Sequence, residues 1–528
     1  MRALIAALVL VGGCYAPDPQ SGAYLCGSNK TCPDGLSCEC GQCVKKASEA
    51  ACSFDITSSM ATMKNRVLTL EIDEHKPFPI SIQAYASDGS PATGFNGDVT
   101  VSSTWGDVCV GTAGCLQRPN KVQLAGGKGD ATIRLNRETI PPQSALLRAE
   151  IADAVGTSAQ LRITVNAAPF VRDIAPIVAP LALPPLGTAF GFATVAAAAP
   201  SVIKTIDGWR MYYIGGITKG GLGSGVRFGL GVATSSDGKT FTAGAQPLYE
   251  ADGMSDTAVG EASAYDDGVL THIFLGRQQR YIDASKTTGI GYETIAELTS
   301  ANALGPFTLT PTPPVTQIGG TPDCPYCFSL DAPLVIKDPN PDLNGGGPKA
   351  AVMFFSAAQK SGTDSAATFS VAVVRAASAD GASFVVDPAP ILQTTSTEQI
   401  IFSPRVVIDG TVYKMYYSAA PLDVLNPNGA LDPCSAPYHV NYATSSDGFF
   451  WVRSPTNATA RAHVLDVAPA GNWDNSGGKL VSVGSVLVGS VLPADGVDPS
   501  TGLVLYYSPY SRVLTTCTPN GIGRAAQP

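Results

Sequence analysis

Charge is scarce in this chain. Asp, Glu, Lys and Arg make up only 15% of its 528 residues, against roughly 25% in ordinary soluble domains, which argues against long charged helices and coiled coils. Lys and Arg total 34 against 43 Asp and Glu, a formal charge of −9. No basic run exceeds the pair Lys45-Lys46, so a phosphate-binding surface has no electrostatic support and nucleic acid is not an expected partner. After the first dozen residues no stretch reaches the roughly 18 uninterrupted apolar residues of a membrane-spanning helix. What the chain has instead is 55 Gly, 40 Pro and 45% hydrophobic residues, the composition of a folded, turn-rich protein of about two to four domains.

The N-terminus reads as an address. Met1-Arg2 carries positive charge, Ala3 to Val11 is a short apolar run, and Gly12-Gly13 are small residues before Cys14, the pattern of a signal peptide over 1–13. The tetrad Val11-Gly12-Gly13-Cys14 resembles a bacterial lipobox. That resemblance implies lipidation of Cys14, cleavage before it, and contact with the membrane through the N-terminal lipid only. The signal and the lipid together imply an extracytoplasmic location, and because Tyr15 rather than Asp follows Cys14, the resemblance implies sorting to the outer membrane in a Gram-negative host.

Setting Cys14 aside, twelve of the 13 cysteines remain, an even number in local groups, as expected of disulfides in an oxidising compartment. Cys26, Cys32, Cys38, Cys40, Cys43 and Cys52 form a Cys-rich module over 14–52 whose pairing the sequence leaves open. Cys109 with Cys115, Cys324 with Cys327, and Cys434 with Cys517 form the other groups. Cys324-Pro-Tyr-Cys327 has redox-motif spacing, but in a Pro-rich loop it reads as a staple. No metal is expected: the N-terminal cysteines have no histidine nearby, and Asp338-Pro-Asn-Pro-Asp342 lacks the Gly and the bidentate Glu of a calcium loop. No cofactor is expected either.

Over 53–167 short alternating segments such as Val67-Leu-Thr-Leu-Glu-Ile, Ile80-Ser-Ile-Gln-Ala and Leu161-Arg-Ile-Thr-Val lie between Gly, Pro and Asn turns, predicting an all-β sandwich. Gly97-Asp-Val-Thr-Val and Gly127-Lys-Gly-Asp-Ala-Thr-Ile resemble bacterial immunoglobulin-like domains, which implies a spacer. Trp105 and His75 read as packing residues.

From 168 to 528 the chain repeats itself. Trp209-Arg-Met-Tyr-Tyr returns as Tyr413-Lys-Met-Tyr-Tyr and as Leu503-Val-Leu-Tyr-Tyr, and Ala233-Thr-Ser-Ser-Asp-Gly returns as Ala443-Thr-Ser-Ser-Asp-Gly, with a decayed copy at Ala376-Ala-Ser-Ala-Asp-Gly. A degenerate copy near Thr299-Ser-Ala-Asn completes a series of five units of four strands each, which predicts a five-bladed β-propeller. In the first unit the strands are expected at Pro200-Ser-Val-Ile, Trp209 to Ile214, Arg227 to Thr234 and Thr240-Phe-Thr. The long B-to-C and D-to-A loops fall on one face, the expected functional rim. Cys434 and Cys517 occupy equivalent loops of neighbouring units and are expected to be bonded. His272, Trp209 and Trp451 read as packing residues.

The phrases Pro-Ser-Val-Ile, Met-Tyr-Tyr and Ala-Thr-Ser-Ser-Asp-Gly resemble the five-bladed propellers of glycoside hydrolase families 43, 32, 62 and 130. The resemblance implies carboxylates on the innermost strands, an acid and a base flanking the glycosidic bond. Where the first blade of that family carries Asp-Pro, this chain has Ala199-Pro200. Gly260-Glu261-Ala262 is similar to the acid-bearing strand, and Leu330-Asp331-Ala332-Pro333 is similar to an Asp-bearing one. Catalytic roles therefore fall on Glu261 as general acid and Asp331 as its partner, with Asp173, Asp256 or Glu398 as a third acid. The same two acids could instead hydrogen-bond sugar hydroxyls without cleavage, or simply satisfy backbone amides. Glu398, Arg405, Arg277, Tyr281 and Trp473 are the substrate-binding candidates; Arg280 and Tyr510 belong to the same rim. The resulting expectation is a cell-envelope lipoprotein that binds polysaccharide or oligosaccharide and, where its acids form a working pair, hydrolyses it. The alternative is a non-catalytic adhesion or scaffold module for glycan or protein.

Overall fold

The computed structural model describes residues 24–27, 29–64, 67–73, 77–103, 107–111, 120–136, 145–151, 160–166, 170–173, 175–177, 190–194, 196–218, 226–250, 256–281, 290–316, 329–339, 341, 349–361, 368–395, 398–410, 412–420, 438–454, 464–465, 485–497, 502–513, 516–519 and 521–527. Cys14, Trp105, His75, Cys115, Cys324, Cys327, Cys434 and Trp473 lie outside them. The chain divides into two compact units, which meet in sequence between Val165 and Asn166. Among the described residues the regular structure is β, apart from one short 3-10 turn at Ala47–Glu49.

In the first unit the cysteine module pairs Cys26 with Cys38, Cys32 with Cys43 and Cys40 with Cys52, settling the connectivity that the sequence left open. Cys109 is also disulfide-bonded. Two antiparallel sheets follow, of six and four strands, sharing one apolar core. Period-2 alternation explains it: in Phe78–Tyr85 the inward side chains are Phe78, Ile80, Ile82 and Ala84, as a half-buried sheet requires.

The second unit holds five antiparallel sheets in chain order. The leading strands are Ala196–Thr205, Asp256–Asp266, Ser329–Lys337, Ile400–Asp409 and Ser485–Pro493. Each sheet continues outward as a meander, and in the first the fourth strand is Thr242–Ala243, two residues beyond its expected start. The fifth sheet differs, because its outermost strand, Val171–Arg172, comes from the start of the unit and pairs with Gly523–Ala526. Every leading strand touches the next, and the fifth touches the first.

The repeated phrases follow from this arrangement. Tyr212-Tyr213, Phe354-Phe355, Tyr416-Tyr417 and Tyr506-Tyr507 are buried pairs on second strands, and adjacent side chains on a strand point to opposite faces. Tyr416 therefore packs with Tyr507 of the fifth sheet, while Tyr417 packs with Phe354 of the third. An aromatic pair fills the space on both sides of its sheet, so these strands are buried on both faces rather than alternating, as Val412–Ala420 is along its whole length. The Asp-Gly phrase is turn chemistry. Asp447 accepts the amides of Phe449 and Phe450, while Ser445 donates to its carboxylate and accepts the Gly448 amide. Asp237 and Asp380 repeat the pattern. In the degenerate copy Asn302 takes the place of Asp, accepting the Leu304 amide.

Buried serines stitch adjacent sheets together. Ser201 accepts the Ala264 amide, Ser263 that of Val335, Ser356 that of Ser403 and Ser418 that of Val488; Ser490 and Ser508 accept those of Val202 and Ala199. Ser356, Ser418 and Ser508 each follow an aromatic pair. The first and second sheets have Ile214 and Gly276 at that position, and there Ser201 and Ser263 of the leading strands serve instead.

Candidate functional site

A bulge interrupts each leading strand at the same level. Ala199-Pro200, Gly260-Glu261, Ala332-Pro333 and Ser403-Pro404 fall between the paired residues on either side, and in the fifth strand Gly489 does so alone. Ala199, Ala332 and Ser403 have φ of +50°, +51° and +54°, a left-handed conformation uncommon outside glycine. A bulge removes carbonyls from the ladder and re-aims side chains. Here the freed groups meet a guanidinium.

Arg405 follows the fourth-sheet bulge and is 3% exposed. Its Nε donates to the Gly489 carbonyl, its Nη1 to the carbonyls of Pro404 and Ala332, and its Nη2 to Glu261 Oε2 at 2.7 Å. Ser403 donates its hydroxyl to the other oxygen, Glu261 Oε1, also at 2.7 Å. Glu261 is 8% exposed. Burial pushes its carboxyl above the usual range, opposed by the Arg405 charge and by the hydrogen bonds from Ser403 and Arg405. The ion pair prevails physically, because a guanidinium cannot shed its proton in a protein and a neutral Glu261 would deprive the buried cation of the carboxylate it hydrogen-bonds, leaving it only the charge of Asp331.

Asp331, 9% exposed, lies against the second sheet where glycine makes room for it. A Cβ on Gly276 would come 1.8 Å from Asp331 Oδ1, and one on Gly260 would come 2.5 Å from it. Tyr510 of the fifth sheet completes the group. Burial raises its hydroxyl pKa first, and the charges of Glu261 and Asp331 raise it further. Glu261, Asp331, Arg405 and Tyr510 thus come together from the second to fifth sheets, while the first has Ala199-Pro200 at its bulge.

The other predicted residues sit elsewhere. Glu398 is buried within the fourth sheet, where Tyr417 Oη (2.9 Å), Asn441 Nδ2 (2.6 Å) and Arg453 Nε (2.5 Å) donate to it. Asp173 pairs with Arg524 beside the outermost strand of the fifth sheet. Arg277 occupies the second strand of the second sheet opposite Val259, next to the glycine that accommodates Asp331. Tyr281 and Arg280 are placed on that strand by their backbones, and Asp256 on the leading strand; their side chains lie outside the described set. Arg405 belongs to the buried centre and not to an exposed rim.

Sequence reasoning missed Ser403, which looks like an ordinary Ser-Pro turn, and it placed Tyr510 in a loop. The one available signal was alignment of the leading strands. Positions following the bulge read Ser201, Ala262, Leu334, Arg405 and Ser490, and a single arginine in that column invites a central role. Among the described residues one group has the spacing of metal ligands, Cys26, Cys32 and Cys43. All three are oxidised to disulfides, so no thiolate is available to a metal.

No protein-family model and no curated protein matches the chain. Similar solved structures include one described under the GH130 family of mannoside phosphorylases as containing glycoside hydrolases that target β-1,2 mannosidic linkages in Candida mannan; it has 12% identity and TM-score 0.46, over 68% of this chain and 93% of that one. The β-1,2-mannobiose phosphorylase of Listeria innocua has 11% identity and TM-score 0.44, over 68% and 96%. A family 117 glycoside hydrolase from the marine bacterium Zobellia galactanivorans has 13% identity and TM-score 0.42, over 68% and 91%.

Proposed function

We propose that this protein is a lipid-anchored, extracytoplasmic carbohydrate-binding protein. In this reading an immunoglobulin-like spacer carries a five-bladed propeller whose central acids accept hydrogen bonds from sugar hydroxyls without cleaving the glycan. The cyclic contact of the five leading strands supports the propeller, and the lipobox-like Val11-Gly12-Gly13-Cys14 supports the anchor. The observation that carries binding over hydrolysis is the state of Glu261. Both of its oxygens are engaged, by Ser403 and Arg405, and Ala199 stands where the resemblance calls for a base or nucleophile. A carboxylate paired in this way is an acceptor rather than a proton donor.

Hydrolysis is the second reading, favoured by the burial that raises the Glu261 carboxyl, as a general acid requires. Retardation of the full chain in gels containing soluble polysaccharides tests binding, with Glu261→Gln and Asp331→Asn as comparisons. Retardation by one polysaccharide, weakened in both variants, supports the proposal. Uniform migration across a broad panel overturns it. For the anchor, incorporation of labelled palmitate should disappear in Cys14→Ser; unchanged labelling would remove that part.

A further inference from the structure

Carbonyls that a bulge turns out of its ladder are buried acceptors, and leaving them unmet is costly. At the centre of the second unit they are met by a protein side chain. The Arg405 guanidinium takes the carbonyls of Gly489 in the fifth sheet, Ala332 in the third and Pro404 in the fourth, then closes on Glu261 in the second. Four of the five sheets therefore meet on one planar fork. Lysine could supply the charge but not this geometry, since it lacks the five donors in fixed directions.

From this geometry we infer that Arg405 is a positioning residue: it fixes Glu261 as a permanent anion facing the centre, so that this position accepts hydroxyls and does not donate a proton. The inference rests on the carbohydrate-binding reading for its ligand, but the link between Arg405 and Glu261 can be read without any ligand. The charged and titratable groups that act on Glu261 are Arg405 from the fourth sheet and Tyr510 from the fifth, and Asp331 from the third acts on both of these; Arg277 lies on the neighbouring strand of its own sheet, opposite Val259. The first sheet presents Ala199, Pro200 and Ser201, none of which titrates.

The experiment follows thermal unfolding of the full chain from pH 5 to 8 in wild type, Arg405→Met, Arg405→Lys, Glu261→Gln and the double variant Arg405→Met/Glu261→Gln. Without the guanidinium, burial is opposed only by the Ser403 hydrogen bond and holds the folded pKa of Glu261 above the unfolded one. Arg405→Met should then lose stability progressively as pH rises, relative to wild type, with a Tm deficit on the order of 5 °C or more at the alkaline end. Adding Glu261→Gln should abolish that slope. Arg405→Lys should melt lower than wild type through loss of the fork while keeping the wild-type pH profile, and it serves as the test should Arg405→Met fail to fold.

A purely structural arginine predicts parallel profiles in all variants, and parallel profiles would overturn the inference. So would a slope that persists in the double variant, or an Arg405→Lys profile as steep as that expected of Arg405→Met. Failure of every polysaccharide to bind while these slopes appear as expected would refute the carbohydrate reading and leave the Arg405–Glu261 link standing.

Discussion

Asp173 and Arg524, 351 positions apart in sequence, form an ion pair in which Arg524 Nη1 lies 3.0 and 2.8 Å from the two carboxylate oxygens. The pair sits where the strand that opens the second unit, Val171–Arg172, is hydrogen-bonded to the strand that ends it, Gly523–Ala526. That strand contributes only two residue pairs to the last sheet, so side-chain contacts beside it have a visible share in closing the sheet. The Asp173 side chain is 36% exposed, and solvent screening limits the pair to the range of a surface bridge, at most about 1 kcal/mol. Asp173→Asn should lower stability by about that amount in urea unfolding, with a larger loss at low salt. Equal losses at low and high salt would contradict an electrostatic role.

A second prediction concerns the serine seams. Removing Ser418 Oγ leaves the buried Val488 amide without its acceptor, so Ser418→Ala should cost about 1–3 kcal/mol. Ser263→Ala orphans the Val335 amide at a different seam. The two losses should add to within about 0.5 kcal/mol, because the seams share no partner. A neutral Ser418→Ala in denaturant titration would show that the seam is held by packing alone.

Gly276 gives a third. A methyl group there would collide with Asp331, so Gly276→Ala should destabilise by about 1–3 kcal/mol through overpacking and weaken carbohydrate binding by displacing the carboxylate. Combining it with Asp331→Gly should restore stability, although not binding. Failure of the second substitution to rescue the first would mean that the clash is with backbone.

The fourth concerns pH. His272 Nδ1 lies 2.7 Å from Glu297 Oε1, and its Nε2 lies 3.5 Å from Asp267 Oδ2. Burial by itself would lower the imidazole pKa, but the hydrogen bond and charge of Glu297, with Asp267 behind them, raise it above its ordinary 6.5. A raised folded value means that the stabilisation is fully present below about pH 6.5 and is lost as pH rises through the folded pKa. The Tm difference between wild type and His272→Gln should therefore shrink from pH 6 to pH 8.5. A constant difference would show that His272 acts only through its stacking on Phe274.

Much of this architecture was legible because its local chemistry is repeated. The Asp-Gly turns need a short acceptor side chain followed by a residue tolerant of positive φ, and Gly238, Gly381 and Gly448 all have φ of 68° to 78°. The aromatic pairs needed two large side chains at neighbouring positions, which a repeat search finds directly. Glu261 and Asp331 were reached through resemblance to strands that carry acids. Arg405 was harder, because an arginine in a sequence ordinarily reads as solvated and nothing local reports that four sheets converge on it. The surroundings of Glu398 were illegible for the same reason: its partners Tyr417, Asn441 and Arg453 lie on three strands of the fourth sheet, and only the fold brings them together. Ser356, Ser418 and Ser508 stand in the sequence after three of the four aromatic pairs, yet their acceptor role depends on a neighbouring sheet that one unit does not contain.

The fate of a bound glycan distinguishes Glu261 as a fixed acceptor from Glu261 as a working acid. Reducing ends released from a retained polysaccharide should be measured for wild type and Glu261→Gln after prolonged incubation, alongside the amount of glycan bound. Wild type should bind, the variant should bind more weakly, and neither should release reducing ends above the protein-free control. Release by wild type that disappears in Glu261→Gln would identify Glu261 as a working acid and contradict the role assigned to it here.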